Sequence, residues 1–194
     1  MEIIIHRVNT IEKLKMVPHD FGCEIDVRSN GKEIILNHDA MQDGCSFENF
    51  LNFYNHGTLV VNIKESGIED FIIKELNKHN ISNYFLLDCE FPYIYKKVRE
   101  NFKKLAIRFS EDEPIHQLEK YKNLVDWVWI DTNTILPINN ENAKLLSKLK
   151  SCLVCPERWN RPQDIILYKN ELLKMKFKCN AVMTSLKYAN LWLK

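Results

Sequence analysis

Cys23-Glu24-Ile25-Asp26-Val27-Arg28-Ser29-Asn30-Gly31-Lys32-Glu33-Ile34-Ile35-Leu36-Asn37-His38-Asp39 is a pair of short apolar runs joined across an Asn-Gly turn. Alternation makes Cys23–Val27 a strand, and its acids, Glu24 and Asp26, then point to one side. Carboxylates that face together repel unless a cation lies between them, and hard cations take oxygen ligands. The second run, Ile34–Leu36, ends in His38-Asp39, just as Ile3–Ile5 at the head of the chain ends in His6-Arg7. Histidines, an arginine and paired acids, each closing a short strand, read as one metal-assisted phosphate site.

Outward from that stretch, short β-rich runs alternate with helical patterns. Barrel strands are expected near Ile3–Ile5, Cys23–Val27, Leu59–Ile63, Tyr84–Leu87, Leu105–Phe109, Asp126–Ile130, Ser151–Cys155 and Ala181–Thr184. Ile34–Leu36, across its tight turn, reads as an excursion above the barrel, with a true barrel strand as the alternative. Apolar residues at three- and four-residue spacing place helices over Ser46–Tyr54, Ile68–His79, Phe91–Phe102, Pro114–Tyr121, Asn139–Leu149, Arg161–Met175 and Leu186–Leu193. Ser46 is the expected N-cap of the first of these. Such alternation leaves two architectures, an α/β barrel or an open doubly wound sheet. The open sheet announces itself through a Gly-rich phosphate loop, and the 5 glycines of this chain make none. Polar residues instead recur at the C-terminal ends of many runs: His6-Arg7, Asp26, Asn62 and Lys64, Asp88, Arg108, Asp131, Glu157, Thr184. That is the pattern of a compact (β/α)8 TIM barrel, expected as one domain over residues 1–194.

Composition bounds the function. With 45% hydrophobic residues and a net charge of +1, the chain has a core to bury and no bulk attraction for nucleic acid. No signal peptide fits the start, and nowhere do 18 apolar residues run together, so a soluble, cytoplasmic protein without a membrane span is expected. The 6 cysteines are scattered through apolar runs and read as buried thiols. Cys152 and Cys155 have Cys-x-x-Cys spacing without a second pair, so small strand residues are the preferred reading over a zinc or redox site. His19, His56, His79 and His116 fall in helix or loop stretches and are expected at the surface. Trp127 and Trp129 share a face and are read as core, with Trp129 or Trp159 lining a pocket as the minority alternative. Asp131-Thr132-Asn133 and Glu157-Arg158 follow strands and belong at the rim, and Arg108 could add a phosphate contact.

Ile-Ile-Ile-His-Arg, Asn-Thr, Gly-Cys-Glu-Ile-Asp-Val and Asn-Gly-Lys-Glu-Ile-Ile-Leu-Asn-His-Asp together resemble the glycerophosphodiester phosphodiesterase family of phospholipase-C-like phosphodiesterase barrels. Order and spacing agree over the first 40 residues. Weaker echoes follow at Ser46–Leu51, at Val61-Asn62-Ile63-Lys64 and at Ala181–Ser185. The resemblance implies that His6 and His38 are the general acid/base pair. It implies one divalent cation, magnesium or calcium, on Glu24 and Asp26 with Asn62 as the third position. It implies further that Arg7 and Lys64 neutralise phosphate oxygens of a small phosphodiester containing glycerol or another polyol. The residue types suit that chemistry, since fixed positive charge offsets charge building on the phosphoryl oxygens while imidazoles move protons near neutral pH.

Three positions depart from the pattern. Asn62 stands where the family has a glutamate ligand, Val8 replaces its glycine after His-Arg, and the insertion after His-Asp shrinks to Ala40–Cys45. These favour a competing reading, a barrel whose catalysis has decayed into binding of a phosphoryl ligand or a protein. A third reading is a metal-dependent lyase that stops at the cyclic product.

Overall fold

The computed structural model describes residues 1–193. They divide into two compact units, Ile4–Ile94 and Tyr95 onward together with Met1–Ile3. Strands alternate with helices in both.

In the Ile4–Ile94 unit the frame is a set of parallel strands. The end of β1 (Glu2–Ile5) pairs with β2 (Gly22–Ser29) through Ile4↔Gly22 and Ile5↔Cys23. Along its length β2 pairs with β5 (Leu59–Ile63), in register from Cys23↔Leu59 to Val27↔Ile63, and β5 pairs with β6 (Tyr84–Leu87). The Asp26↔Asn62 match in that register puts Glu24, Asp26 and Asn62 on one face. Every residue of β5 and β6 is buried, as strands covered on both faces require. Between the chain's first two parallel strands runs α1 (Ile11–Leu14), capped by Thr10, and only Leu14 of it is buried.

The stretch after β2 is the expected excursion. Asn30 N donates to Glu33 O at 3.2 Å, and Gly31 takes φ 84°, a left-handed conformation open to glycine without a Cβ clash. The chain returns antiparallel to β2 as β3 (Ile34–Leu36), Val27 opposite Leu36, and β3 pairs in turn with β4 (Cys45–Ser46). Ser46 caps α2 (Phe47–Leu51) as the sequence suggests, and Phe47, Phe50 and Leu51 are buried beneath it. In α3 (Glu69–Lys78) the buried apolar residues Ile72 and Leu76 lie one turn apart. The last helix to leave this unit is α4 (Phe91–Arg99).

The other unit repeats the scheme with β7 (Ala106–Phe109), β8 (Trp127–Ile130), β9 (Lys150–Val154) and β10 (Ala181–Thr184), all parallel in that order. Glu2 N donates to Asn180 O at 2.8 Å just before β10. The helices are α5 (His116–Tyr121), α6 (Ala143–Leu146), α7 (Asp164–Lys174) and α8 (Leu186–Leu193). Trp127 and Trp129 are buried, while Trp159 is exposed. Cys152 and Cys155 are buried free thiols, and Trp192 Nε1 donates to Cys155 Sγ. The helix expected over 139–149 is shorter. Asn139 Oδ1 accepts from Glu141 N and Asn142 N, and Asn142 Oδ1 accepts from Asn139 N, so a side-chain-bonded turn replaces the first helical turn.

Candidate active site

The site begins where β1 stops. His6 and Arg7 form a turn in which Arg7 takes φ 52°, a left-handed conformation that costs a non-glycine residue about 1 kcal/mol. Two backbone N–H groups of the turn bond to Glu24. Arg7 N donates to Glu24 Oε2 at 2.8 Å, and Val8 N donates to Glu24 O at 2.8 Å. Val8 itself is fully buried, and the left-handed residue is Arg7. The departure from glycine at position 8 is thereby accommodated.

Asn9 ties the turn to β2 a second time. Its Nδ2 donates to Asp26 Oδ2 and its Oδ1 accepts from Asp26 N, both at 2.9 Å. Lys13, from α1, donates to His6 O at 2.8 Å and to Arg7 O at 2.6 Å. Burial lowers its pKa from the ordinary lysine value, against the opposing pull of Glu24.

Glu24, Asp26 and Asn62 form the buried floor, with 1%, 0% and 6% of their surfaces exposed. Asn62 Nδ2 donates to Glu24 Oε1 at 2.9 Å, which fixes the amide, because the opposite orientation would face oxygen to oxygen. Among the described residues Asn62 Oδ1 is left buried without a hydrogen bond. Asp26 Oδ1 is in the same state: Lys64 Nζ stands 3.4 Å away as an ion-pair partner, but outside hydrogen-bonding alignment. Buried oxygens rarely go unbonded, and two such atoms beside a further carboxylate fit a hard cation. Arg7 Nε lies 3.8 Å from Asp26 Oδ2, and Lys64 also reaches Asp88 Oδ2 at 3.7 Å. His6 Nε2 lies 4.0 Å from Glu24 Oε2, its side chain 15% exposed.

Six of the seven candidates, His6, Arg7, Glu24, Asp26, Asn62 and Lys64, are thus linked by direct contacts. His38 is not. Asn37 N donates to Asp26 O at 3.1 Å, so His38 follows at the margin of this floor, and Arg28 donates to the carbonyls of Asn37 and His38. Among the described residues its ring bonds to none of the other candidates. Its Nδ1 lies 2.7 Å from Asp39 Oδ1, and that bond holds the exposed Asp39 carboxyl below its ordinary pKa. Asn9, Lys13, Arg28 and Asp88 were not singled out as site residues. Asp88 and Asn9 carried a signal, a polar residue beside a strand end, whereas Lys13 carried none.

A second group with ligand-type atoms within 4.8 Å of one another is Glu48, Glu75 and His79, on α2 and at the end of α3. There Lys78 Nζ already bridges Glu48 at 2.5 Å and Glu75 at 3.3 Å. That ammonium hydrogen-bonds both acids, whereas Asp26 Oδ1 has the Lys64 ion pair without a hydrogen bond and Asn62 Oδ1 has no hydrogen bond among the described residues.

Burial, and then the neighbouring Asp26 carboxylate, push the Glu24 carboxyl from an ordinary 4.5 up to about 6, against the hydrogen bonds from Asn62 and Arg7. A folded pKa above the unfolded one favours the fold in the protonated form. That contribution is complete below pH 4.5 and is lost as pH rises through about 6. Metal-free protein is therefore expected to lose stability on the order of 2 kcal/mol across this window. Urea unfolding in chelator at its two ends, for wild type and Glu24→Gln, checks this, and equal slopes in the two proteins would refute it.

No protein-family model matches the sequence, and no curated protein does. Solved structures do match. One, provisionally described as a glycerophosphoryl diester phosphodiesterase from Agrobacterium tumefaciens, is similar over 99% of this chain and 96% of its own, with a TM-score of 0.70 and 12% identity. Another, a glycerophosphoryl diester phosphodiesterase from Parabacteroides distasonis, is similar over 94% of this chain and 81% of its own, with a TM-score of 0.63 and 11% identity. At such identity the likeness speaks for the fold. The strand ladders within the two units do not by themselves close a barrel. The α/β fold expected from the sequence is the fold observed, and it is the one found in solved glycerophosphoryl diester phosphodiesterases.

Proposed function

We propose that this chain is a metal-dependent phosphodiesterase of the glycerophosphodiester type, built as one barrel domain over residues 1–194. The observation that carries the reading is the pair of buried, unbonded oxygens, Asp26 Oδ1 and Asn62 Oδ1, beside Glu24 in a fold shared with such enzymes. Glu24, Asp26 and Asn62 hold one divalent cation, magnesium or calcium. When bound, the cation polarises a phosphoryl oxygen. Arg7 and Lys64 place fixed positive charge where the phosphate monoanion docks, each already drawn inward by Asp26.

His6 and His38 exchange protons with the substrate. With Nδ1–H given to Asp39, His38 keeps the Nε2 lone pair free to take a proton from an attacking hydroxyl. His6 protonates the leaving oxygen. Attack by a neighbouring hydroxyl of a glycerol or polyol group gives a cyclic phosphate that water then opens. The substrate is a small phosphodiester, and the reading requires neither nucleic acid nor a membrane span; among the described residues no helix is long and apolar enough to cross one. Free thiols at all six cysteines agree with a cytoplasmic setting.

Asn62 favours one competing reading, a barrel that binds phosphoryl ligands or a protein without turnover, because an amide brings no charge to the cation. The test is release of phosphomonoester from glycerophosphodiesters and nucleotide-linked polyols, with magnesium, calcium or chelator. Turnover that chelator removes is the expected result. A folded protein that neither turns over any diester nor binds either metal would leave only the binding module.

A further inference from the structure

Lys13 leaves α1 and reaches back over the turn that precedes it. The two carbonyls it bonds, those of His6 and Arg7, belong to the peptide units on either side of Arg7. Holding both at 2.8 and 2.6 Å therefore restrains the φ and ψ of the one left-handed residue between them, at φ 52°. The left-handed turn in turn directs Arg7 N to Glu24 Oε2. Lys13 is itself set in place. Its backbone N donates to Thr10 Oγ1 at 3.2 Å, and the next residue, Leu14, is buried. Lys15 of the same segment, by contrast, is exposed, and its ammonium lies 5.8 Å from the Phe53 ring centroid and bonds no backbone carbonyl among the described residues.

We infer that Lys13 is a positioning residue for the candidate site, clamping the peptide units around Arg7 so that the Arg7 N–H meets Glu24 and the His6 and Arg7 side chains face the acids. Its effect on turnover rests on the phosphodiesterase reading; its effect on the turn does not. The ammonium is well suited to the task, since it carries several donors on one atom and can serve two carbonyls at once. A neutral side chain of similar length, methionine, fills the space and donates nothing.

Backbone amide exchange of Arg7, read by NMR against amides of β2, tests the clamp directly. In Lys13→Met the Arg7 amide is expected to exchange about tenfold faster or more while β2 stays protected. With the best diester, kcat is expected to fall on the order of a hundredfold, as for a misplacement of about 1 Å, with KM within about twofold. Lys13→Arg, whose guanidinium can also serve both carbonyls, is expected to restore most of the Arg7 protection and of kcat. Wild-type exchange at Arg7 in Lys13→Met overturns the inference, as does uniform loss of protection in both variants, which would make Lys13 a general support of the fold. If the wild type hydrolyses no diester, the functional reading falls while the exchange arm still decides the clamp.

Discussion

His6→Ala is expected to lower diester turnover by about 10²–10⁴-fold while leaving the protein folded. The ring sits at the end of β1, with enough of its side chain exposed to meet a substrate and with Glu24 behind it. Its removal leaves Glu24 still bonded to Arg7 N and Asn62 Nδ2, so the floor of the site survives. The measurement is kcat on the best substrate beside a thermal melt. Retention of activity within about threefold of wild type, well inside the range for a proton-transfer residue, would remove His6 from the mechanism. His38→Ala makes the informative comparison. That side chain is 40% exposed and bonds only to Asp39 among the described residues, so its loss should touch rate and not stability.

Asp26→Ala is expected to abolish cation binding and to cost the fold about 3 kcal/mol, the lower end of the range for removing one member of a buried ion pair. The carboxylate is wholly buried and serves Asn9 Nδ2, Arg7 Nε and Lys64 Nζ together. Arg7 and Lys64 keep 38% and 18% of their side chains in solvent and can recover some hydration, which holds the cost down. Urea unfolding reads the stability, and calorimetric titration with magnesium or calcium reads the binding. A variant that still binds either metal with wild-type affinity would show that the ion, if held, is held elsewhere.

Much of this architecture could be read from residue order because its signals are local. The strands at Ile34–Leu36, Leu59–Ile63, Tyr84–Leu87 and Ala181–Thr184 lie where β-branched and aromatic runs placed them. The shared face of Glu24 and Asp26 followed from strand alternation alone, and the core reading of Trp127 and Trp129 agrees with their burial. Elements of four and two residues, Ile11–Leu14 and Cys45–Ser46, are too short to show a period. The helix expected from Asn139 failed at its start because asparagine side chains there bond the backbone in place of helical carbonyls. Within the site, Asn9 and Lys13 depend on the left-handed turn at Arg7 and on a helix of one turn. Spacing along the chain reveals neither, since each residue acts on atoms that only the turn brings within reach.

The charges around Asp26 nearly cancel: Arg7, Lys13 and Lys64 stand against Glu24, Asp26 and Asp88. A site so balanced has little net pull on a monoanion arriving from solvent. Adding a divalent cation tips it positive, and a diester then draws it back toward neutrality. Under the proposed function, each ligand would accordingly tighten the hold on the other by the same factor, whichever arrives first. A diester would then be held more tightly by the metal-loaded protein than by the metal-free one.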